Sequence, residues 1–244
     1  MRLFLAFVMS ISSLNFCYGQ ETERKVIRSK NGDKEEFFVL KSDNSIKHGE
    51  YEKKGNYSHV IGSYKNGLRD GMWTEYSTGS RLRSKGSYVN NERVGLWKFY
   101  SWEGELEQEY NFSTKELISD NLLDGMKARK FSVIKGNDTL LTLLERPPLY
   151  ITGKTRMQSA LTKGSQIGII LRLTQVSGNV VVGFTIDTAG HAKNYKILSG
   201  IHDACDEEAL RMVKNLPANW LPAKLNGELV EVEHTITIAF KNTL

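Results

Sequence analysis

Three short phrases recur in register along the first half of this chain. They are Gly49-Glu50-Tyr51, Gly71-Met72-Trp73 and Gly95-Leu96-Trp97, spaced by 22 and 24 residues. A second phrase keeps step with them: Gly62-Ser63-Tyr64-Lys65-Asn66-Gly67, then Gly86-Ser87-Tyr88-Val89-Asn90-Asn91. A third pairs Tyr76-Ser77-Thr78-Gly79 with Tyr100-Ser101-Trp102-Glu103-Gly104. Repetition at so short a period constrains the fold before any single motif does. A unit of this length buries little by itself and gains stability by stacking on its neighbours.

The repeating unit reads as a β-hairpin. Asn66-Gly67 and Asn90-Asn91 suit the positive-φ positions of tight turns. Between the turns lie short aromatic-rich runs. Trp97 and Phe99 share one strand face, whereas Trp73 and Tyr76 fall on opposite faces. The glycines permit close approach of strands and rings. The pattern over roughly Lys47 to Asn111 resembles MORN-type repeats, particularly the YwqK-like bacterial variant. Some proteins of that type are credited with lipid or protein binding. Regularly spaced strand aromatics read first as the repeat's own core. Residues before the repeat, with Phe37 to Leu40 apolar, add a strand or two, and Phe112 to Glu145 is expected to extend the same sheet. Within that stretch Lys130 to Ile134 and Thr139 to Leu144 suit a hairpin around Gly136-Asn137-Asp138.

Met1 to Gly19 reads as a secretory signal peptide: Arg2, an apolar stretch, then Cys17-Tyr18-Gly19 before a polar chain. Phe16 before Cys17 disfavours lipidation of that cysteine. Cleavage leaves Cys205 alone, so no internal disulfide can form. Hydrophobic residues at 40% and charged residues at 25% exclude wholesale disorder. The formal charge of +5, spread along the chain, does not suit a dedicated nucleic-acid binder.

Pro147-Pro148 breaks the repeat's rhythm, and a second vocabulary follows. Lys154 to Thr162 predicts a short helix. Val180, Val182, Phe184 and Ile186 alternate along a strand, Asp187 to Gly190 make a turn, and Ala192 to Ser199 return. Asp203 can cap a helix whose apolar stripe is Ala209, Met212, Val213 and Leu216, stopped by Pro217. Val230, Val232, His234, Ile236, Ile238 and Phe240 define one face of a long last strand. The expected fold class is α+β: a β-hairpin repeat sheet over residues 20–145, then a small domain over 146–244. That domain is expected to be a three-stranded antiparallel sheet with two helices.

Several phrases of this second region, in order, resemble the TonB C-terminal domain family. They are Gly178-Asn179-Val180-Val181-Val182-Gly183-Phe184-Thr185-Ile186-Asp187 with Gly190, then Ile197-Leu198-Ser199-Gly200, then Asp206-Glu207-Glu208-Ala209-Leu210. Leu216-Pro217, Trp220, Pro222-Ala223, Asn226-Gly227 and the ending Thr235-Ile236, Ile238, Phe240 complete the series. The chain departs from TonB proteins elsewhere: a β-repeat replaces the proline-rich spacer, and Ile167-Gly168 stands near the place of the family's Tyr-Pro pair.

The resemblance implies partner recognition by strand pairing on an edge of the last strand. Glu231, Glu233, Thr235 and Thr237, opposite the apolar row, are the expected flanking residues. The implied partner is an envelope protein such as an outer-membrane transporter; closure of the edge by a second copy is the alternative. The implied location is the periplasm or outer-membrane surface of a Gram-negative-type bacterium. No catalytic constellation or cofactor motif is present. Thr152-Gly153-Lys154-Thr155 resembles the end of a phosphate-binding loop, but its first glycine position holds Pro148. His202 and Cys205 read as a helix start with a semi-buried thiol, not as a metal site.

Overall fold

The computed structural model describes residues 20–241; the signal-peptide reading lies outside them. The chain opens with β1 (Thr22–Arg28), β2 (Lys34–Leu40), β3 (Asp43–Lys54), β4 (Ser58–Lys65) and β5 (Leu68–Arg69). β6 (Gly71–Ser77), β7 (Leu82–Val89), β8 (Glu92–Tyr100), β9 (Leu106–Asn111) and β10 (Glu116–Asp120) follow. Together they form one ten-stranded antiparallel sheet in chain order, with β5 pairing β4 beside the main path. Asn66 and Gly67, and Asn90 and Asn91, all have positive φ at the hairpin tips, as their sequence predicts.

The repeat's glycines have a geometric cause. Gly62 and Gly86 lie beneath indole rings: a Cβ on Gly62 would come within 2.3 Å of Trp73, and one on Gly86 within 2.2 Å of Trp97. Each indole N–H then donates to the backbone beside that glycine, Trp73 to the Ser63 carbonyl at 3.1 Å and Trp97 to the Ser87 carbonyl at 3.0 Å. Each tryptophan therefore packs flat on a neighbouring strand, and the Gly-Ser-Tyr phrase is its receptor. The rings continue into one another, with Trp73 to Tyr88 at 5.9 Å and Tyr88 to Trp97 at 5.0 Å between centroids.

After α1 (Leu123–Lys127) come β11 (Lys130–Lys135) and β12 (Asp138–Leu143). Then follow β13 (Leu149–Tyr150), α2 (Gly153–Thr162), α3 (Ile167–Thr174), β14 (Gly178–Ile186) and β15 (Ala192–Ser199). α4 (Asp203–Lys214), β16 (Trp220–Leu221), β17 (Ala223–Leu225) and β18 (Glu228–Phe240) close the chain. The second sheet has order β12-β11-β18-β14-β15, with β17 also pairing β18. Its core row is the expected one: Val232, Ile236, Ile238 and Phe240 are buried against Val180, Val182, Phe184 and α4.

Four expectations need correction. The second sheet has six strands rather than three, because β17 pairs with the start of β18 and the β11–β12 hairpin joins it through Val133↔Val232 and Ile134↔Glu231. That hairpin forms where the sequence predicts it but does not extend the repeat sheet, which ends at β10. A third helix, α3, precedes β14; its buried Ile170 and Leu171 turn one apolar side to the core. His202, not Asp203, caps α4, its imidazole accepting from the Ala204 N–H at 3.2 Å.

Replacing Gly86 by Ala should destabilise the protein by about 1–3 kcal/mol through overpacking under Trp97. Gly125→Ala, with open space around it, should be neutral or slightly stabilising. Urea unfolding of both variants checks this. A fragment of residues 145–241 should unfold at lower urea than one of residues 130–241, since only the longer one keeps the strand against β18. Equal midpoints would show that the hairpin contributes nothing.

Candidate functional site

One long stretch of strand in the second sheet has an open edge. β14 pairs with β18 without interruption from Val232 to Phe240. On the other edge β11 covers Glu231 and Val232 only. Among the described residues no strand pairs with that edge beyond Val232. β11 leaves β18 there, and a groove of about 480 Å³ opens beside His234, Thr235, Ile236 and Thr237. Met126 and Arg129 bound it from the α1 side, and Lys154, Met157 and Leu161 from α2. Tyr150 and Trp220 also line it.

The wall formed by α2 is set by two polar side chains of β9. The Glu107 carboxylate accepts from the Thr155 backbone N–H at 3.1 Å and from its hydroxyl at 2.9 Å. A carboxylate in the first turn satisfies free N–H groups and complements the helix dipole. The Gln108 amide donates to the Asp120 carboxylate at 2.8 Å and to the Tyr150 carbonyl at 3.1 Å. Its oxygen accepts from the Thr152 N–H at 2.7 Å. Glu107 and Gln108 are buried, and burial pushes the Asp120 carboxyl up despite the Gln108 hydrogen bond. The β13–β16 pair adds Leu149 and Leu221 to the aromatic core of the repeat sheet. The Thr152-Gly153-Lys154-Thr155 phrase thus begins a helix whose N-terminus already holds a protein carboxylate.

The four expected flanking residues separate into two pairs. Glu231 and Glu233 form ion pairs with Lys193 at 2.8 Å and Lys196 at 3.2 Å, both from β15. The Glu231 hydrogen bond raises the Lys193 ammonium above its ordinary range. Glu231 also lies in the part of β18 covered by β11. Thr235 and Thr237 line the groove. Sequence reasoning missed the opposite wall, Met126, Arg129, Lys154 and Met157, because only the tertiary fold brings it to β18. Cys205 is buried, and burial followed by the Asp206 charge pushes its thiol up. Among the described residues no cluster of His, Cys, Asp or Glu could hold a metal ion. No described helix is long and apolar enough to cross a membrane.

His234 sits in the groove's floor between the Trp220 and Phe184 rings, at 5.1 and 5.5 Å between centroids. Burial, then the Arg129 charge, lowers its pKa from 6.5 to about 4. The unfolded chain therefore takes up this proton before the folded one. Its contribution to stability is complete above pH 6.5 and is lost as pH falls towards 4. Urea midpoints measured from pH 7.5 to 4 should fall less steeply in His234→Gln than in the parent. Parallel profiles would contradict this assignment.

Residues 170–242 match the family described as Gram-negative bacterial TonB protein C-terminal. No curated protein matches the chain. Among solved structures, it is similar to the Helicobacter pylori TonB C-terminal domain in solution. The identity is 24% over 35% of this chain and 78% of that one, with a TM-score of 0.26. It also matches a Staphylococcus aureus TarM variant at 17% identity, over 41% of this chain and 22% of that one, with a TM-score of 0.24. The family match falls on α3 to β18, so the part of the chain that carries the groove's β18 edge is similar to TonB C-terminal domains.

Proposed function

We propose that this is a non-enzymatic envelope protein whose TonB-like C-terminal domain binds a protein partner by strand pairing at β18. The observation that carries the reading is the uncovered edge beyond Val232, with a side-chain groove beside it. An extended segment laid there would gain backbone hydrogen bonds from β18, and its side chains would select register against Met126, Met157 and Ile236. The family match supports an exported protein of a Gram-negative-type envelope and a partner such as an outer-membrane transporter. Removal of residues 1–19 as a signal peptide belongs to the same reading.

A second reading makes the repeat sheet, as a MORN-like surface, the binding element and the C-terminal domain its adaptor. It is favoured by Ile61, Met72 and Leu96, which are exposed on the strands of the repeat sheet. Site-specific photo-crosslinking separates the two. A benzophenone side chain at Thr235 should yield an adduct in envelope fractions that one at Met72 does not. Thr237→Pro, with its circular dichroism unchanged, should abolish that adduct. Adducts from Met72 alone would favour the repeat surface. A product of twice the chain's mass from Thr235 would mean that a second copy closes the edge.

A further inference from the structure

Three guanidinium groups line one hollow of about 260 Å³ on the repeat sheet: Arg69 of β5, Arg93 of β8 and Arg156 of α2. One carboxylate, Glu75, lines it with them. Glu75 is already engaged, since Arg156 forms an ion pair with it and also donates to the Ser84 hydroxyl at 2.8 Å. The Nε of Arg156 is buried and has no acceptor. Among the described residues Arg69 and Arg93 form no ion pair with a carboxylate.

Arg69 and Arg93 recur with the repeat, and so does Lys47, each two residues before a repeat glycine. All three stand over aromatic rings: Lys47 4.3 Å from the Phe37 centroid, Arg69 4.7 Å from Trp73, Arg93 4.8 Å from Trp97. Lys47 also has its own carboxylate, Glu35, at 2.7 Å. The two arginines do not, although a ring face attracts the cation without accepting from its five N–H donors. Arg69 uses one donor on the Tyr88 hydroxyl at 3.3 Å. Two positive charges therefore face a partly enclosed hollow uncompensated, beside a third that is paired. Repulsion among them falls when an anion enters.

We propose that this hollow binds a small phosphate-bearing molecule, with Arg69 and Arg93 as its principal donors and Arg156 as a third. A phosphate dianion matches two uncompensated cations, where a carboxylate supplies one charge, and the guanidinium fork suits its paired oxygens. The volume lies below the roughly 300–1,000 Å³ of sites for drug-sized ligands, so the phosphate carries few further atoms. Arg156 belongs to α2, which borders the hollow, so a flat bilayer is a poor complement and a soluble ligand is the fitting one.

The test is titration calorimetry of the exported chain with inorganic phosphate and with glycerol 1-phosphate at constant ionic strength, with acetate as control. Saturable phosphate binding is expected, weakened at least tenfold in Arg69→Gln and Arg93→Gln. Glu75→Gln removes the internal competitor for Arg156 and should tighten binding at least threefold. A merely damaged fold would not produce that gain. Equal response to acetate, affinity unchanged in Arg93→Gln, or no gain in Glu75→Gln overturns the proposal. So does binding to phosphatidylglycerol vesicles without binding to free phosphate, which would identify a lipid surface instead.

Discussion

The carboxylate of Glu107 in the first turn of α2 is the contact on which the arrangement of this molecule depends. It is buried, it comes from β9, and it accepts from both the backbone and the hydroxyl of Thr155. Next to it, Gln108 satisfies its amide with three hydrogen bonds, one to Asp120 and two to the stretch from Tyr150 to Thr152. A buried polar group is costly unless every donor and acceptor finds a partner. These two side chains therefore tolerate only a narrow range of positions for α2, and hence for the groove wall that α2 forms. The apolar part of the seam, Leu149 and Leu221 against the repeat's aromatic core, supplies area without fixing direction. The polar part supplies the direction.

The same position explains why the resemblance of Thr152 to Thr155 to a phosphate-binding loop is misleading. The helix start exists, and an anion does occupy it, but that anion is Glu107. The repeat sheet contributes the complementary case. There, cations cover aromatic rings and lack acid partners at Arg69 and Arg93.

Much of the fold was legible in local pattern. The Asn-Gly and Asn-Asn turns, the paired glycines and the alternation along β14 and β18 each reflect forces acting between near neighbours in sequence or in consecutive strands. The groove was legible only on its β18 side. Pairing of Val133 with Val232 joins segments far apart in the chain and leaves no periodic trace in either. Glu107 and Gln108 carry no local sign of their role, because the Thr155 and Thr152 they hold lie more than forty residues away. α3 was missed because eight residues give two turns, too few for the apolar spacing to stand out. The expected row Glu231, Glu233, Thr235 and Thr237 is a true face of the strand. The structure divides it because β15 offers lysines to its first half only.

The stacking of each tryptophan on a neighbouring strand's glycine makes the repeat sheet modular. Strands in a sheet lie about 4.8 Å apart, so one hairpin adds about 10 Å of width. The clasp to α2 uses Glu107 and Gln108 on β9, at the end of the sheet next to the second domain, and none of it depends on β1 to β5. Deleting or duplicating the whole 22-residue unit from Gly49 to Asp70 would thus leave the groove untouched while moving the N-terminal edge by a fixed step. The sheet works as a ruler graduated in hairpins, and the distance between whatever holds its first strand and whatever binds its last domain is counted in glycines.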